Sequence, residues 1–199
     1  DIEQISLGTT CEYHSLDDAE VGRQVDLTKR FVDLAADIGA VGVKVRPNGL
    51  QEAAGVPRER TLEQIGLALR QCGEFAEGSS VSIWLEVHGR DISHPPHIRR
   101  IMEVADHPQV GVCWNSNPTD VVAGSVSEYF ELLRPWVRSA HISELWDSGY
   151  PWRELFALLP TADITGYCLA EIPESAEPER LMRYYRALWS ELRSPSADD

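Results

Sequence analysis

Four polar side chains end four successive apolar segments, at a spacing that could assemble one chemical site. They are Glu86, Asn115, His141 and Glu171, separated by 29, 26 and 30 residues. Each interval is close to the length of one strand followed by one helix. Carboxylate, amide and imidazole groups can bind a divalent cation, and a pair of carboxylates can transfer protons.

Side-chain alternation supports a common location for these four residues. Successive side chains of a strand point to opposite faces, and one choice of face turns all four toward the same side. A charged group inside an apolar strand is costly to bury unless it is paired, protonated or bound to a cation. A single such residue would be a structural hydrogen-bond partner, but four at matching positions favour a shared site.

Strand-type and helix-type patterns alternate along the chain, which predicts βαβ units around a parallel sheet. Strands are predicted at residues 5–9, 41–45, 81–87, 110–114, 137–142 and 167–172. Helices are predicted at residues 20–38, from 61, and at 98–105, 125–133, 152–159 and 178–192. We expect one domain over residues 1–199, with a frayed tail at 194–199.

Two helices have specific sequence signals. The first places Val21, Val25, Phe31, Leu34 and Ile38 on one apolar face and should stop at Gly39. The second carries an apolar face of Leu62, Ile65, Leu69, Cys72 and Phe75. Thr61 and Gln64 resemble a capping box at its start.

The predicted fold class is α/β, a (β/α)₈ TIM-barrel type with six βα units in this chain. A closed barrel of this type has eight units and about 250 residues, so about two N-terminal units are expected to be lacking. The alternative is an open, doubly wound sheet, which the same alternation allows.

Composition excludes several classes of function. The formal charge of -14 opposes nucleic-acid binding, which depends on Lys and Arg. Apolar runs stay far below the ~18 residues of a membrane span. No glycine-rich phosphate loop occurs. Four scattered cysteines, without a C-x-x-C pair, predict reduced thiols and a cytoplasmic protein. A homo-oligomer is compatible with the sequence.

Three motifs resemble the sugar phosphate isomerase/epimerase family of xylose isomerase-like TIM barrels. They are W-L-E-V-H-G at Trp84–Gly89, A-H-I-S-E-L at Ala140–Leu145 and G-Y-C-L-A-E-I at Gly166–Ile172. The resemblance covers nearly the whole chain in element order. It implies a divalent cation, Mn²⁺ or Mg²⁺, bound by Glu, Asp, His and Glu from four successive strands.

Carried over position by position, these ligands are Glu86, Asn115, His141 and Glu171. Asn115 stands where the family usually has Asp, and a neutral amide holds a hard cation more weakly. Pro118 stands where some members have a sugar-binding His, so the substrate contacts must differ from theirs.

The resemblance implies an isomerase or epimerase that moves a proton next to the carbonyl of a small sugar or sugar phosphate. Glu86 and Glu171 would be the catalytic acid and base, with pKa values raised by their apolar setting. His88 and Arg90 are candidates for binding substrate oxygens. Weaker candidates are Glu12 and His14 after the first strand, and Lys44 and Arg46 on the second.

Three alternatives remain open. A keto-sugar lyase or hydratase would need the same base and the same acidified proton. A non-catalytic sugar-binding barrel with a weakened metal site would fit Asn115 and Pro118. A metal-dependent abasic-site nuclease shares this fold, but the negative charge opposes DNA binding.

Overall fold

Six β-strands alternate with six α-helices. The computed structural model describes residues 3–164 and 166–194, so residues 195–199 of the tail that we expect to fray lie outside it. The strands are β1 (Ser6–Gly8), β2 (Gly42–Val45), β3 (Ser82–Glu86), β4 (Val110–Asn115), β5 (Val137–Ile142) and β6 (Cys168–Ala170). The helices are α1 (Asp18–Ile38), α2 (Arg58–Ala76), α3 (Pro95–Ala105), α4 (Ser127–Leu133), α5 (Trp152–Leu158) and α6 (Pro178–Arg193).

The strands form one sheet in the order β1-β2-β3-β4-β5-β6, and every neighbouring pair is parallel. A doubly wound sheet reverses its strand order at a switch point, so that alternative is wrong. The sheet curls into six of the eight βα units of a TIM barrel, as predicted. Tyr167 precedes β6 and Glu3 precedes β1, and the Tyr167 hydroxyl donates a hydrogen bond of 3.3 Å to Glu3. The two edges of the sheet therefore approach each other at the amino ends of these strands.

The two edge strands are shorter than the sequence patterns predict. Both β1 and β6 have three residues, although residues 5–9 and 167–172 have strand-type patterns. Each pairs with a neighbour on one side only, so fewer backbone groups are fixed in a ladder. The inner strand β5 has the predicted bounds.

Helix α1 has the predicted end but a narrower buried face. The side chain of Asp17 accepts a hydrogen bond from the backbone N–H of Ala19, and Gly39 ends the helix with a φ of 77°. Val25 is buried, but Leu34 and Ile38 are 45% and 46% exposed. The prediction that these two residues face the core is wrong, because the last turns of α1 present that side to solvent.

Helix α2 begins before the predicted start. Its first residue is Arg58, so Thr61 lies buried within the helix and does not cap it. The Gln64 side chain donates instead to the carbonyl groups of Tyr13 and Ser15, in the loop after β1. The capping-box prediction is therefore wrong. Phe75, predicted to point inward, is 43% exposed.

A single indole fills the interior of the curled sheet beneath the candidate site. Trp84 is on β3, two residues before Glu86 and on the same face, and it is fully buried. A Cβ atom at Gly42 would overlap its ring, and one at Gly166 would lie 2.7 Å from it. Glycine on the neighbouring segments therefore makes room for a large side chain inside a narrow sheet.

Gly42→Ala should destabilise the protein by about 1–3 kcal/mol, because the new methyl group must displace the buried Trp84 indole. Urea unfolding at one pH measures the difference. The matched control is Gly22→Ala in α1, where a Cβ has no atom within 4 Å. This variant should be more stable by about 0.5–1 kcal/mol. Equal stabilities of the two variants would contradict the packing described here.

Two predictions from composition can be compared with the structure. All four cysteines are free thiols, and Cys11, Cys72 and Cys113 are buried in the core. Among the described residues, no helix combines the length and apolar character needed to cross a membrane.

Candidate functional site

Three of the four predicted site residues converge at the carboxyl end of the sheet. The Nδ1 atom of His141 lies 3.2 Å from an oxygen of Glu86 and 3.2 Å from an oxygen of Glu171. One ligand atom from each residue lies within 4.8 Å of the other two. These three side chains therefore share one location at the mouth of the sheet.

Strand register explains this convergence. Glu86 ends β3, His141 lies near the end of β5, and Glu171 follows β6 directly. His141 pairs with Leu169 in the ladder, so Glu171 lies two residues further along on the same face. Glu86 is consequently deep in the mouth of the sheet, with a side chain 3% exposed, whereas that of Glu171 at the rim is 52% exposed.

Asn115 lies beside this group. It is the ladder partner of His141 and is half-buried at the end of β4. Its backbone carbonyl accepts hydrogen bonds from Asn117. Within the part of the chain that the structure describes, no residue hydrogen-bonds to its side-chain amide, so the amide oxygen is available to a ligand.

Lys44 makes a closer contact with the site than its sequence suggests. Its Nζ atom lies 2.7 Å from Oε2 of Glu86, and the lysine side chain is 15% exposed. Strand β2 lies next to β3, and Lys44 pairs with Trp84 in the ladder. The sequence could have indicated this contact, because Lys44 and Glu86 are both predicted to face inward on adjacent strands.

The site carboxylates are ionised, contrary to the prediction of raised pKa values. Burial raises the pKa of Glu86, but the hydrogen bonds from His141 and Lys44 outweigh burial and bring this pKa to about 2. The hydrogen bond from His141 also lowers the pKa of Glu171. Burial lowers the pKa of His141, but its contacts with Cys113, Glu171 and Glu86 raise it overall. The positive charges of Lys44 and His141 therefore balance the negative charges of Glu86 and Glu171.

Of the candidate substrate-binding residues, His88 and His14 belong to one row of polar side chains. Nδ1 of His88 lies 3.2 Å from Oδ1 of Asn48, and the Asn48 amide donates to Glu12. Nδ1 of His14 is 3.9 Å from the same Glu12 carboxylate. These side chains form a polar row along the loops after β1, β2 and β3. Arg90 is exposed and lies outside this row.

Arg46 extends the inward face of β2. It follows Val45, the last residue of the strand, and its backbone N–H still bonds to the carbonyl of Cys11. The side chain is half-buried, and its Nε atom is buried without a hydrogen-bond partner among the described residues.

Asp120 is a buried carboxyl group that the sequence analysis did not identify. It lies in the loop after β4, where its Oδ2 accepts from the backbone N–H of Asn117 at 2.8 Å and from the Tyr150 hydroxyl at 3.3 Å. Trp114 donates to the same hydroxyl. Burial raises the pKa of Asp120 to about 8. This network fixes the loop that follows Asn115.

The raised pKa of Asp120 predicts that the protein loses stability as the pH rises from about 4 to about 8. Over this range the folded protein keeps a proton that the unfolded chain has released, so the unfolded state binds fewer protons. Asp120→Asn removes the titration. Between pH 5 and pH 8.5, the stability of this variant relative to the wild type should increase by roughly 2–4 kcal/mol.

Urea unfolding of both proteins at the two pH values measures this effect. A constant difference between them would show that Asp120 titrates normally in the folded protein.

The residues at the mouth of the sheet fit a divalent cation. Two carboxylate oxygens and an imidazole nitrogen lie within 4.8 Å of one another, and Asn115 is the ladder partner of His141 on the neighbouring strand. Oxygen and imidazole ligands suit Mn²⁺, whereas Mg²⁺ prefers oxygen alone. Lys44 holds Oε2 of Glu86 and leaves Oε1 on the side of His141.

Comparison with known proteins agrees with this architecture. Residues 1–189 match the family described as xylose isomerase-like TIM barrel. The chain belongs to this family. No curated protein matches it by sequence.

Three solved structures show the similarity of this family member to other barrels. The 3-keto-D-glucoside 4-epimerase of E. coli has a TM-score of 0.74 at 15% identity, over 95% of this chain and 78% of that one. D-psicose 3-epimerase of Clostridium cellulolyticum H10 has a TM-score of 0.76 at 14% identity, over 96% of this chain and 77% of that one. A sugar phosphate isomerase/epimerase of Parabacteroides distasonis has a TM-score of 0.71 at 13% identity, over 96% of this chain and 72% of that one. At these identities the likeness shows the fold.

Proposed function

We propose that this protein is a sugar or sugar-phosphate isomerase or epimerase, which moves a proton at the carbon next to a carbonyl group. The observation that carries the proposal is the convergence of Glu86, His141 and Glu171 from three strands. Structural neighbours that are sugar epimerases and isomerases support it. The substrate would be a small sugar bound at the carboxyl ends of the strands, where barrels of this type carry their active sites.

Glu86, His141 and Glu171 would hold a divalent metal ion, Mn²⁺ in preference to Mg²⁺, with the amide oxygen of Asn115 as a fourth ligand. When bound, the ion would polarise the substrate carbonyl and acidify the neighbouring C–H bond. The low pKa values of both carboxylates suit this role, because ionised oxygens bind a cation without first losing a proton. His141, whose pKa is raised by its contacts with the same carboxylates, would release its proton when the ion binds.

Glu171 is the better placed of the two carboxylates to accept the substrate proton. Its side chain is 52% exposed at the rim, and only Oε2 is held by His141. Glu86 is deeper, with one oxygen bonded to His141 and the other to Lys44. A sugar between them would meet one carboxylate on each face.

Proton transfer between the two faces accounts for both reactions. The C–H bond breaks toward one carboxylate, and its electron pair moves onto the carbonyl oxygen. Return of a proton from the opposite face, from a water molecule held by Glu86 whose hydroxide then takes the proton from Glu171, would invert the carbon. Return of the abstracted proton to the neighbouring carbon, with transfer of that carbon's hydroxyl proton to the former carbonyl oxygen, would exchange ketose for aldose. Lys44 keeps Glu86 ionised and fixed, which makes it a positioning residue.

The test is deuterium incorporation from D₂O into a panel of ketoses, ketose phosphates and keto-sugar acids in the presence of Mn²⁺. We expect exchange at the carbon next to the carbonyl in at least one of them, with formation of its epimer or aldose. Loss of water to an unsaturated product would identify a lyase or hydratase instead. No exchange, together with no Mn²⁺ binding at millimolar metal, would contradict the proposal and favour a non-catalytic sugar-binding barrel.

A further inference from the structure

Most charged side chains at the mouth of the sheet are paired with one another, but Arg46 is not. Glu86 is held by Lys44 and His141, and Glu171 by His141. Glu12 is engaged by Asn48. Within the described part of the chain, the guanidinium of Arg46 makes neither an ion pair nor a hydrogen bond, and its Nε is buried.

A half-buried guanidinium without a partner is costly, because it has lost water on one side and gained nothing in return. The other arginines that are half-buried in the described part of the chain, Arg70, Arg100 and Arg138, have partners within the protein. Arg100 pairs with Glu59, for example, and Arg70 donates to two backbone carbonyls. The carboxylates of Glu12, Glu86 and Glu171 are each engaged by another residue.

The position of Arg46 suits the far end of a substrate. It lies two residues beyond Lys44 on the same face of β2, roughly 7 Å further toward the rim. Lys44 touches Glu86, so Arg46 would lie about the length of a short carbon chain from the reacting carbon. The guanidinium fork matches the oxygens of a carboxylate or phosphate in a bidentate arrangement.

We propose that Arg46 is an oxyanion-binding residue, and that the substrate is a sugar carrying a carboxylate or phosphate group remote from its carbonyl. This inference rests on the proposed function, because it places the reacting end of the sugar at Glu86 and Glu171. Charge supports the assignment. The protein carries a formal charge of -14, and an anionic substrate needs a cation that the site carboxylates have not already engaged.

Binding of polyols that cannot react tests the inference without requiring catalysis. Calorimetry at constant ionic strength compares D-sorbitol, which is neutral, with D-sorbitol 6-phosphate and D-gluconate. We expect one of the two anions to bind about 10- to 100-fold more tightly than D-sorbitol. The preferred anion distinguishes a sugar phosphate from a sugar acid. Equal binding of all three, or no anion binding at millimolar concentration, would overturn the inference.

Variants assign the preference to Arg46. Arg46→Gln should abolish it, and Arg46→Lys should retain part of it, because the charge remains while the fork is lost. The control is Arg30→Gln on the exposed side of α1, which should keep the full preference. An anion preference that survives in Arg46→Gln would overturn the assignment. Failure of the proposed function would appear separately, as an absence of deuterium exchange in the wild type despite anion binding.

Discussion

Glu171→Gln is expected to slow deuterium exchange at the carbon next to the substrate carbonyl by about 10²–10⁴-fold. The amide has nearly the shape of the carboxylate but cannot accept the proton. A loss of this size is typical when an acid–base group is removed. The rim position of Glu171 favours this role, since its side chain is 52% exposed and His141 contacts one of its two oxygens. Exchange is measured by NMR under saturating sugar and Mn²⁺.

The matched control is Glu174→Gln, three residues along the same loop and exposed to solvent. It makes the same change of charge outside the converging group and should exchange at the wild-type rate. Glu171 has no part in proton transfer if both variants keep that rate.

His141→Ala is expected to weaken Mn²⁺ binding at least about 100-fold. Nδ1 of His141 is the donor that faces both carboxylates, at 3.2 Å from each. Even residues that only orient metal ligands contribute 10- to 100-fold to affinity, so loss of a ligand should cost no less. Calorimetric titration of metal-free protein with Mn²⁺ measures the change, and thermal unfolding checks that the variant is folded.

Asn115→Asp provides the opposite change at the same site. A carboxylate in place of the amide adds a charged oxygen beside His141, so Mn²⁺ should bind more tightly than in the wild type. The control His97→Ala removes a histidine on α3, outside the converging group, and should bind as the wild type does. Unchanged affinity in both His141→Ala and Asn115→Asp would place the metal elsewhere.

Periodicity predicted the barrel units and the convergence of the site, because both follow from strand geometry. Residues at the carboxyl ends of parallel strands in one curled sheet lie at the same edge of that sheet. This is why the spacing of Glu86, His141 and Glu171 predicted that they lie close together. The predicted order of elements is confirmed for the same reason.

The charge state of the site could not be predicted, because it depends on a partner from another strand. An apolar strand sequence around Glu86 suggests desolvation and a raised pKa. The structure places Lys44 and His141 against both of its oxygens, and their hydrogen bonds reverse the direction of the shift. Pairing between strands is a property of register, which one strand sequence does not reveal.

The predicted buried faces of α1 and α2 were too long for a similar reason. Leu34, Ile38 and Phe75 continue the apolar periodicity of α1 and α2, yet all three are substantially exposed. Periodicity identifies which side of a helix is apolar, but the contact of each turn depends on how far the neighbouring elements extend.

Crystals grown with Mn²⁺ and measured at the manganese absorption edge would show whether the converging side chains bind the metal. We expect one anomalous peak within ligand distance of Glu86, His141 and Glu171, with the side chain of Asn115 turned toward it. A metal-free mouth, with the Glu86, His141 and Glu171 contacts unchanged at saturating Mn²⁺, or a peak bound elsewhere, would contradict it.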